Sequence, residues 1–324
     1  MREVIIATGA LGFIGSNFVK RMNSLGKDVI GVDCYEDRNF KDLKMVDFIE
    51  KNDILDRIEL IARSYSKVTV VHNGGDSNTK TPMSNAMLYN FEFTKNLMEV
   101  SSVLGWKTIY ASSASVYGDG KNGFIEDSSK ETPSCPYAFS KAMTDWHLMA
   151  NTVKYPNVCS LRYFNVYGPG ESYKGEMASP VHKFLSSGIL GNGISLFKGS
   201  KLFFRDFIHV DNVIDVICHF MRDETSSSFP GVYNCGTGKS ESFYDLAMIV
   251  KACLGSYGII ASVKEIQMPK ELESQYQKFT LADVSKLRSA GFDKKFITLE
   301  EGIRQDLKNR LIGDYSPNRL FVGL

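Results

Sequence analysis

Short apolar runs alternate along the first half of the chain with longer stretches whose apolar residues recur at helical spacing. The short runs predict buried strands at residues 4–7, 29–32, 68–71, 108–112 and 158–163. Between them, helices are predicted around residues 18–22, 53–62, 83–103 and 137–141. Strands that alternate with helices pair in parallel and are covered on both faces. The pattern therefore predicts an α/β fold with a doubly wound parallel sheet.

The first strand is followed by a glycine-rich turn, a helix and a second strand that ends at Asp33. Gly9 allows a tight turn, Gly12 lets the backbone approach a pyrophosphate, and Gly15 permits close packing of the helix on the strand. The helix N-terminus offers free N–H groups and a partial positive charge to the same pyrophosphate. Asp33 is placed to accept a hydrogen bond from an adenosine ribose hydroxyl. This unit predicts a Rossmann-type dinucleotide site.

Tyr137 and Lys141 lie four residues apart, which places them about one turn apart on one face of a helix. A free tyrosine titrates near pH ~10, and a neighbouring cation favours the phenolate. The pair is therefore a candidate proton acceptor near neutral pH, although this spacing alone is more often a solvated helix face. Ser113 follows the strand at 108–112, so its hydroxyl is expected at the same edge of the sheet as the glycine turn.

Composition limits the classes of protein and site that remain. The chain has 324 residues, more than one hydrophobic core usually supports, and it becomes rich in glycine after Asn165, so a second, irregular lobe is expected. A net charge of +1 gives no electrostatic reason to expect nucleic acid or a membrane as partner. No apolar run approaches the roughly 18–20 residues of a membrane span and no signal-peptide pattern is present, so a cytoplasmic location is expected.

Cysteine and histidine spacing gives no support for a metal site. The six cysteines form no CxxC pair and are expected to be free thiols, and the five histidines form no HExxH pair. His72 follows a predicted strand and is expected to be a core residue with satisfied hydrogen bonds. No metal is therefore predicted.

The glycine turn, Asp33, Ser113 and the Tyr137–Lys141 pair occur in the order found in the extended short-chain dehydrogenases/reductases, which this chain resembles over nearly its whole length. The resemblance implies a bound nicotinamide dinucleotide. It also implies that Ser113 hydrogen-bonds the reacting oxygen, that Tyr137 is the acid/base, and that Lys141 lowers the pKa of Tyr137 and binds the nicotinamide ribose. The cofactor contacts implied are Gly9, Leu11, Gly12, Phe13, Ile14, Gly15, Asp33, Lys51, Asn90, Tyr137 and Lys141.

Two later segments resemble those of nucleotide-sugar enzymes within this family. Residues 162–169 resemble the segment whose asparagine, here Asn165, touches the substrate near its phosphates. Residues 205–210 resemble a returning strand, and Arg205 there can offer a planar fork to a diphosphate. The related 4,6-dehydratases carry an Asp-Glu pair after a threonine at the position of Ser113. Alanine and serine stand there instead, so dehydration is disfavoured.

Residues 173–179, Tyr-Lys-Gly-Glu-Met-Ala-Ser, resemble the His-Lys-Gly-Ser-Met-Ala-Ser segment of the ADP-glycero-manno-heptose 6-epimerases. This resemblance implies oxidation at C6 of the heptose to a transient carbonyl and return of the hydride to the opposite face. Inversion needs proton transfer on two faces, and Lys174 matches the second base of that family. A loop lysine that binds phosphate or solvent is the alternative, and Glu176 is a nearby carboxylate able to pair with Lys174. The substrate contacts implied are Ser113, Asn165, Lys174, Ser179, Phe197, Arg205 and Tyr276.

The choice of cofactor depends on the residues near the adenosine ribose. Asp33 alone favours NAD, whereas NADP needs basic residues for its 2′-phosphate. The candidates for that role are Arg38, Lys41, Lys44 and Lys51. Lys51 corresponds to a lysine that the heptose epimerases use, so NADP is expected, with NAD as the alternative.

Several alternatives and boundaries follow from the resemblance. The alternatives in function are a UDP-hexose 4-epimerase, another nucleotide-sugar epimerase or reductase, and a catalytically inactive cofactor-binding scaffold. Residues 1–166 and about 204–235 are expected to form the dinucleotide-binding domain, and about 167–203 with 236–324 the smaller α/β nucleotide-sugar domain. A homo-oligomer is expected because members of the family commonly assemble.

Overall fold

A computed structural model describes residues 2–34, 42–223, 230–269 and 277–312 of the chain. Its centre is a seven-stranded sheet in which every pairing is parallel, and the strand order is β11-β6-β5-β4-β1-β2-β3. The strands of this sheet are β1 Glu3–Thr8, β2 Val29–Asp33, β3 Asp47–Glu50, β4 Lys67–His72, β5 Lys107–Ser113, β6 Val158–Tyr163 and β11 Gly231–Cys235. The order reverses beside β1, which is the topology of a doubly wound Rossmann-type sheet and confirms the predicted fold class.

Helices cover both faces of this sheet, as the alternating pattern predicts. They are α1 Phe13–Ser24, α2 Ile54–Ser64, α3 Met83–Ala86, α4 Phe93–Val103, α5 Pro136–Ala150 and α7 Val210–Met221. The sheet and these helices share buried clusters of aliphatic and aromatic side chains on its two sides. The predicted helix around residues 83–103 is interrupted, because Met87–Glu92 between α3 and α4 is a π-helix. Such segments often mark functional sites.

A second cluster of buried apolar residues lies outside the central sheet. Its elements are α6 Pro180–Ile189, β8 Ile194–Phe197, α8 Phe243–Gly255, β13 Val263–Ile266 and α10 Leu299–Ile312. The strands β8 and β13 pair in parallel. Ala282, Leu287 and Phe292, which the sequence assigns to the smaller domain, pack in the cluster of the central sheet. The short helix α9 Ser285–Ser289 carries Leu287.

Two further short pairings lie outside the central sheet. They join β7 Asn165–Tyr167 to β10 Phe207–His209, and β9 Phe204–Arg205 to β12 Glu241–Ser242. In the parts of the chain that the structure describes, no helix is both long and apolar enough to cross a bilayer. Residues 313–324 lie outside the described residues.

Candidate active site

The glycine turn between β1 and α1 is built so that only glycine fits its tightest position. Gly9 has φ +66°, and a Cβ there would lie 2.7 Å from the backbone nitrogen of Gly74. A Cβ on Gly15 would collide with the carbonyl oxygen of Gly9. The turn therefore lies directly against the loop that follows β4, and both belong to the carboxyl edge of the sheet, where such folds bind ligands.

The start of α1 is open to an anion. Gly12 is its N-cap and supplies no side-chain hydrogen bond, which leaves N–H groups of the first turn available to a phosphate. Asp33, at the end of β2, accepts hydrogen bonds from the N–H groups of Leu11 and Cys34 at 2.8 and 2.9 Å. These bonds fix the carboxylate beside the turn, as the sequence predicts for a ribose-binding acid.

A cavity of about 320 Å³ lies beside this carboxylate. Its lining residues are Thr8, Gly9, Val32, Asp33, Cys34, Lys51, Asn52, Gly74, Gly75, Asp76, Tyr89 and Phe93. Nζ of Lys51 lies 4.5 Å from the centre of the Tyr89 ring. Burial lowers the pKa of Lys51, but its hydrogen bond to the Cys34 thiol and further charge interactions raise it above its usual value overall. The glycine turn, the open helix start and the ribose acid together fit an adenine dinucleotide.

A second cavity, of about 240 Å³, contains the predicted chemistry. It brings together all four predicted catalytic residues: Ser113, Tyr137, Lys141 and Lys174. Phe13 and Ile14, two of the predicted cofactor contacts, line it as well. Both cavities include Gly75 and Asp76. They are therefore adjacent parts of one groove along the carboxyl edge of the sheet.

Lys141 is held beneath this cavity by its surroundings. Its side chain is buried, its Nζ donates a hydrogen bond to the carbonyl oxygen of Ala111 at 2.8 Å, and it lies 4.6 Å from the centre of the Tyr110 ring. Burial lowers the pKa of Lys141 to about 7, although the charge of Asp145 acts in the opposite direction. A lysine in this state exchanges its proton near neutral pH.

Tyr137 differs from the expectation drawn from the sequence. Burial raises the pKa of Tyr137, and the hydrogen bond from Ser113 lowers it in part. Nζ of Lys141 lies 6.0 Å from the centre of the tyrosine ring and is bonded to Ala111, so it makes no direct hydrogen bond to the phenol. Ser113 is the direct partner of the phenol, and its hydrogen bond favours the phenolate.

Lys174 reaches the cavity from a different part of the chain. It belongs to the 3₁₀ segment Ser172–Met177, and its Nζ lies 5.0 Å from the centre of the Phe13 ring at the start of α1. Glu176 does not pair with it: the Glu176 side chain is fully exposed and lies 3.5 Å from Lys183. The carboxylate beside Lys174 is that of Glu171, at 3.6 Å.

Buried polar side chains behind the groove form hydrogen bonds that stabilise the strands and loop lining it. His72 is buried between the hydroxyls of Thr8 and Thr94, and burial lowers its pKa to about 3, which confirms that it is a neutral core residue. Asn90 is fully buried and exchanges two hydrogen bonds with the backbone of Asp76, at 2.8 and 2.9 Å. Asn90, predicted as a cofactor contact, therefore supports the loop shared by both cavities.

The remaining predicted substrate residues lie elsewhere. Among the described residues that line the two cavities, none is Asn165, Ser179, Phe197 or Arg205. The guanidinium of Arg205 donates to the carbonyl oxygens of Phe204 and Gln277, and Asn165 donates to Thr280 and to the carbonyl of Asp206. Tyr276, and the predicted phosphate ligands Arg38 and Lys41, fall outside the described residues.

Several lining residues were not predicted. Asn73 and Tyr163 line the reaction cavity, and the Tyr163 hydroxyl donates to Oδ1 of Asn73 at 2.9 Å. Nδ2 of Asn73 is buried and has no hydrogen-bond partner among the described residues. Asn73 directly follows β4, and ligands of such sheets bind beyond the carboxyl ends of the strands. Its position in the sequence therefore predicts a place in the site. Tyr89, on the π-helix, has no comparable sequence signal.

Comparison with known proteins agrees with this geometry. The NAD dependent epimerase/dehydratase family matches residues 5–236. A curated ADP-L-glycero-D-manno-heptose-6-epimerase from Brachyspira hyodysenteriae is 40% identical over 313 residues, which is 93% of this chain and 96% of that protein.

Solved structures give the same result for the fold. The Helicobacter pylori ADP-L-glycero-D-manno-heptose-6-epimerase superposes with a TM-score of 0.81 at 27% identity, over 96% of this chain and 97% of that one. A UDP-N-acetylglucosamine 4-epimerase from Methanobrevibacter ruminantium superposes with a TM-score of 0.76 at 26% identity, over 95% and 98%. Matching motifs, cavity and relatives lead to one conclusion: the chain belongs to the NAD dependent epimerase/dehydratase family, among the extended short-chain dehydrogenases/reductases.

Proposed function

We propose that this chain is an NADP-dependent ADP-L-glycero-D-manno-heptose 6-epimerase. The observation that carries the proposal is that Tyr137 and Lys174 line one cavity from separate elements, α5 and the segment Ser172–Met177. Two proton-transfer groups in one cavity are what an inversion through a carbonyl requires. The 40% identity to the Brachyspira heptose epimerase supports the choice of sugar.

The chemistry divides between the chain and its cofactor. When bound, a nicotinamide dinucleotide supplies the acceptor and donor of the hydride at C6. Tyr137 takes the proton of the C6 hydroxyl as the hydride leaves, and Ser113 holds the oxygen and the phenol in one hydrogen-bonded line. Lys141, held by the Ala111 carbonyl behind the phenol, orients the ribose. The buried setting of these groups strengthens each of these interactions.

Lys174 is proposed to supply the second proton-transfer step. After oxidation the sugar carries a carbonyl at C6, which must turn before the hydride returns to the other face. Lys174 approaches from the segment that packs on Phe13, whereas Ser113 and Tyr137 come from β5 and α5. Its ammonium can then protonate the oxygen that forms as the hydride is returned, so that both faces of the sugar have a proton partner.

The preference for NADP over NAD rests on Lys51. It lines the same cavity as Asp33 and is held between Cys34 and the ring of Tyr89. Replacing Lys51 with alanine should weaken NADP binding by about tenfold or more and NAD binding much less, because a charge-assisted hydrogen bond contributes about 1.5–3 kcal/mol. Lys27→Ala, at the opposite edge of the sheet, is the control. Calorimetric titration that shows equal losses for the two cofactors would contradict the preference.

The direct test of the reaction uses ADP-D-glycero-D-manno-heptose. Incubation with the holoenzyme should convert it to the L-glycero epimer, and NMR of the C6 configuration measures the conversion. Turnover of a UDP-hexose without conversion of the heptose would favour a 4-epimerase instead. Turnover of neither, with cofactor bound, would favour an inactive scaffold.

The role of Lys174 can be tested separately from the identity of the sugar. Lys174→Met should abolish inversion while cofactor stays bound, and Lys183→Met, which removes an exposed lysine paired with Glu176, should leave the rate within about twofold of wild type. Wild-type rates in Lys174→Met would reject the lysine as a base.

The remaining predictions from the sequence belong to the same proposal. They are a cytoplasmic location, a role in supplying the lipopolysaccharide inner-core precursor, assembly as a homo-oligomer, and the division into a dinucleotide-binding and a nucleotide-sugar domain. The direct substrate contacts of Asn165, Ser179, Phe197, Arg205 and Tyr276 are proposed as well, for a state in which the substrate is bound.

A further inference from the structure

Glu171 is a buried carboxylate in the loop that leads to Lys174. Its side chain has no exposed surface, although it precedes the partly exposed segment Ser172–Met177. An ionised carboxylate is costly to bury unless other groups compensate its charge and satisfy its oxygens. The partners of Glu171 therefore indicate what this carboxylate does.

Three hydrogen bonds to Glu171 close the loop at its base. The N–H group of Gly168 donates to Oε1 at 3.2 Å, and the N–H group of Ser179 donates to Oε2 at 2.7 Å. The Ser179 hydroxyl donates to Oε1 at 2.7 Å and also caps α6 by accepting from the N–H group of His182. One carboxylate thus joins the first residue after β7 to the first residue before α6.

The same loop is fixed to the dinucleotide-binding helix. Nδ2 of Asn17, on α1, donates to the carbonyl oxygen of Pro169 at 2.8 Å. A Cβ on Gly170 would lie 3.4 Å from the same amide nitrogen, so the loop backbone runs close to α1. The base of the loop is therefore positioned by α1 on one side and by α6 on the other.

The fourth contact of the Glu171 carboxylate is with Lys174 itself. Oε2 lies 3.6 Å from Nζ of Lys174, whose side chain is 24% exposed. With the Phe13 ring 5.0 Å away, the ammonium has a carboxylate and an aromatic face as fixed neighbours. A lysine has a long, rotatable stem, so such neighbours decide where its nitrogen lies.

We infer that Glu171 is the positioning residue of Lys174, which aims the ammonium into the reaction cavity by closing the loop and contacting Nζ with one carboxylate. This inference rests on the proposed function, in which Lys174 transfers a proton. Glu176, the other carboxylate of the loop, points to solvent and contacts Lys183. Glu176 is therefore a matched control.

The kinetic test compares Glu171→Gln with Glu176→Gln in the cofactor-loaded enzyme. Glu171→Gln should lower kcat by about 100-fold with KM and cofactor content close to wild type, since a displaced catalytic group costs rate and not binding. Glu176→Gln should leave kcat within about twofold of wild type. A wild-type kcat in Glu171→Gln would overturn the inference, and so would an equal fall in both variants.

A second measurement does not depend on the epimerase reaction. Lys174 and Lys183 are labelled with an amine-reactive acetylating reagent, and their rates are followed by peptide mass spectrometry. In Glu171→Gln, Lys174 should react several-fold faster while Lys183 is unchanged; in Glu176→Gln, only Lys183 should change. An unchanged labelling rate of Lys174 in Glu171→Gln would show that Glu171 does not hold the ammonium, and it would overturn the inference. A wild-type enzyme that does not act on the heptose would overturn the proposed function, and the labelling would still decide the role of Glu171.

Ser179→Ala keeps the test decisive if Glu171→Gln does not fold. It removes the hydroxyl's hydrogen bond to the carboxylate and its cap on α6, and it leaves the charge of Glu171 in place. We expect kcat to fall by about fivefold, because one hydrogen bond is worth about 1 kcal/mol; a change in KM reports the proposed substrate contact of Ser179 and not the positioning role. An unchanged kcat in Ser179→Ala would overturn the positioning role.

Discussion

Nζ of Lys141 lies 6.0 Å from the centre of the Tyr137 ring, although the two residues are one helical turn apart. The ammonium instead donates to the carbonyl oxygen of Ala111 at the end of β5. Ser113, two residues further along the same strand, is the group that hydrogen-bonds the phenol. The end of β5 therefore contacts Lys141 through Ala111 and Tyr137 through Ser113. The hydrogen bond from Ser113 lowers the pKa of Tyr137 directly.

Removing the hydroxyl of Ser113 should therefore change the pH dependence of the reaction as well as its rate. Because the bond from Ser113 lowers the pKa of Tyr137, Ser113→Ala should move the rising limb of the pH–rate profile to higher pH. The rate at pH 7 should fall by about 10²-fold, the lower end of the range for acid–base groups. Steady-state rates between pH 6 and 10 measure both effects.

Ser115 provides the control for this variant. It lies in the same 3₁₀ turn, and its buried Oγ has no hydrogen-bond partner among the described residues. Ser115→Ala should keep both the rate and the pH limb of wild type. A lower rate in Ser113→Ala with an unmoved limb would show that the serine holds the substrate without acting on Tyr137.

The lowered pKa of Lys141 predicts a dependence of stability on pH. Its folded pKa of about 7 lies below the usual 10.5, so between these values the unfolded chain binds the proton more strongly. Stability should therefore rise with pH from about 7 to 10.5, by up to about 1.4 kcal/mol per pH unit from this group, and Lys141 should contribute no further change below pH 7. Denaturant unfolding of the cofactor-free chain at pH 7, 8 and 9 measures the slope. Lys141→Met should flatten the slope, and parallel curves for the two proteins would contradict the shift.

The order of strands and helices could be predicted because the apolar spacing of each segment matches the burial that the segment has in the folded sheet. The sequence predicts the strand at 158–163 with its observed bounds. It is entirely buried although it is not an uninterrupted apolar run, because its polar members Ser160 and Arg162 bond to Asp145. The edge strand β3 Asp47–Glu50 has one buried residue among four, so its pattern carries no such signal. The π-helix Met87–Glu92 was missed because its apolar spacing differs little from that of an α-helix.

The site was predictable where a motif is local and not where it depends on folding. The glycine turn and the Tyr137–Lys141 pair are each contained in one short segment. Glu171 gives no such signal, because burial of its carboxylate arises only when Gly168 and Ser179 meet around it. The sequence pointed to Glu176 as the partner of Lys174 from proximity alone, and the direction of that side chain toward solvent decided otherwise.

A comparison of Gly9 with Gly26 separates the cost of steric crowding by a new Cβ from the cost of a strained backbone conformation. Gly9 and Gly26 share φ +66°, but a Cβ would meet the Gly74 backbone at Gly9 and nothing within 4 Å at Gly26. Gly26→Ala should cost about 1–2 kcal/mol of unfolding free energy, the strain of a left-handed residue, and leave cofactor binding intact. Gly9→Ala should cost more and should also abolish cofactor binding, because the turn must move away from Gly74. Thermal unfolding with and without cofactor compares the two, and equal behaviour would contradict the close approach.

The buried charges beneath Ser112 predict the largest loss of stability. Arg162 is fully buried, and its guanidinium contacts Asp145 at 2.8 Å, Glu131, and the Tyr117 hydroxyl at 2.9 Å. Asp145 also accepts a hydrogen bond from Ser112, the neighbour of the catalytic serine. Arg162→Met leaves both carboxylates without a cation, which typically costs about 3–5 kcal/mol.

The pH dependence of this loss distinguishes uncompensated charge from poor packing. Burial already raises the pKa of Glu131, and Arg162 opposes that rise. Without Arg162, the pKa of Glu131 in the folded variant should therefore lie further above that of the unfolded chain. Stability is then retained below the unfolded pKa and is lost as pH rises through the folded pKa, so the deficit relative to wild type should be smaller at pH 4.5 than at pH 8. Urea unfolding at both pH values measures it, with Arg63→Met as control, because the Arg63–Glu59 pair is exposed and should contribute within about 0.5 kcal/mol. A deficit that is the same at both pH values would assign the loss to packing, and the charges beneath the site would then have no role in holding Ser112 in place.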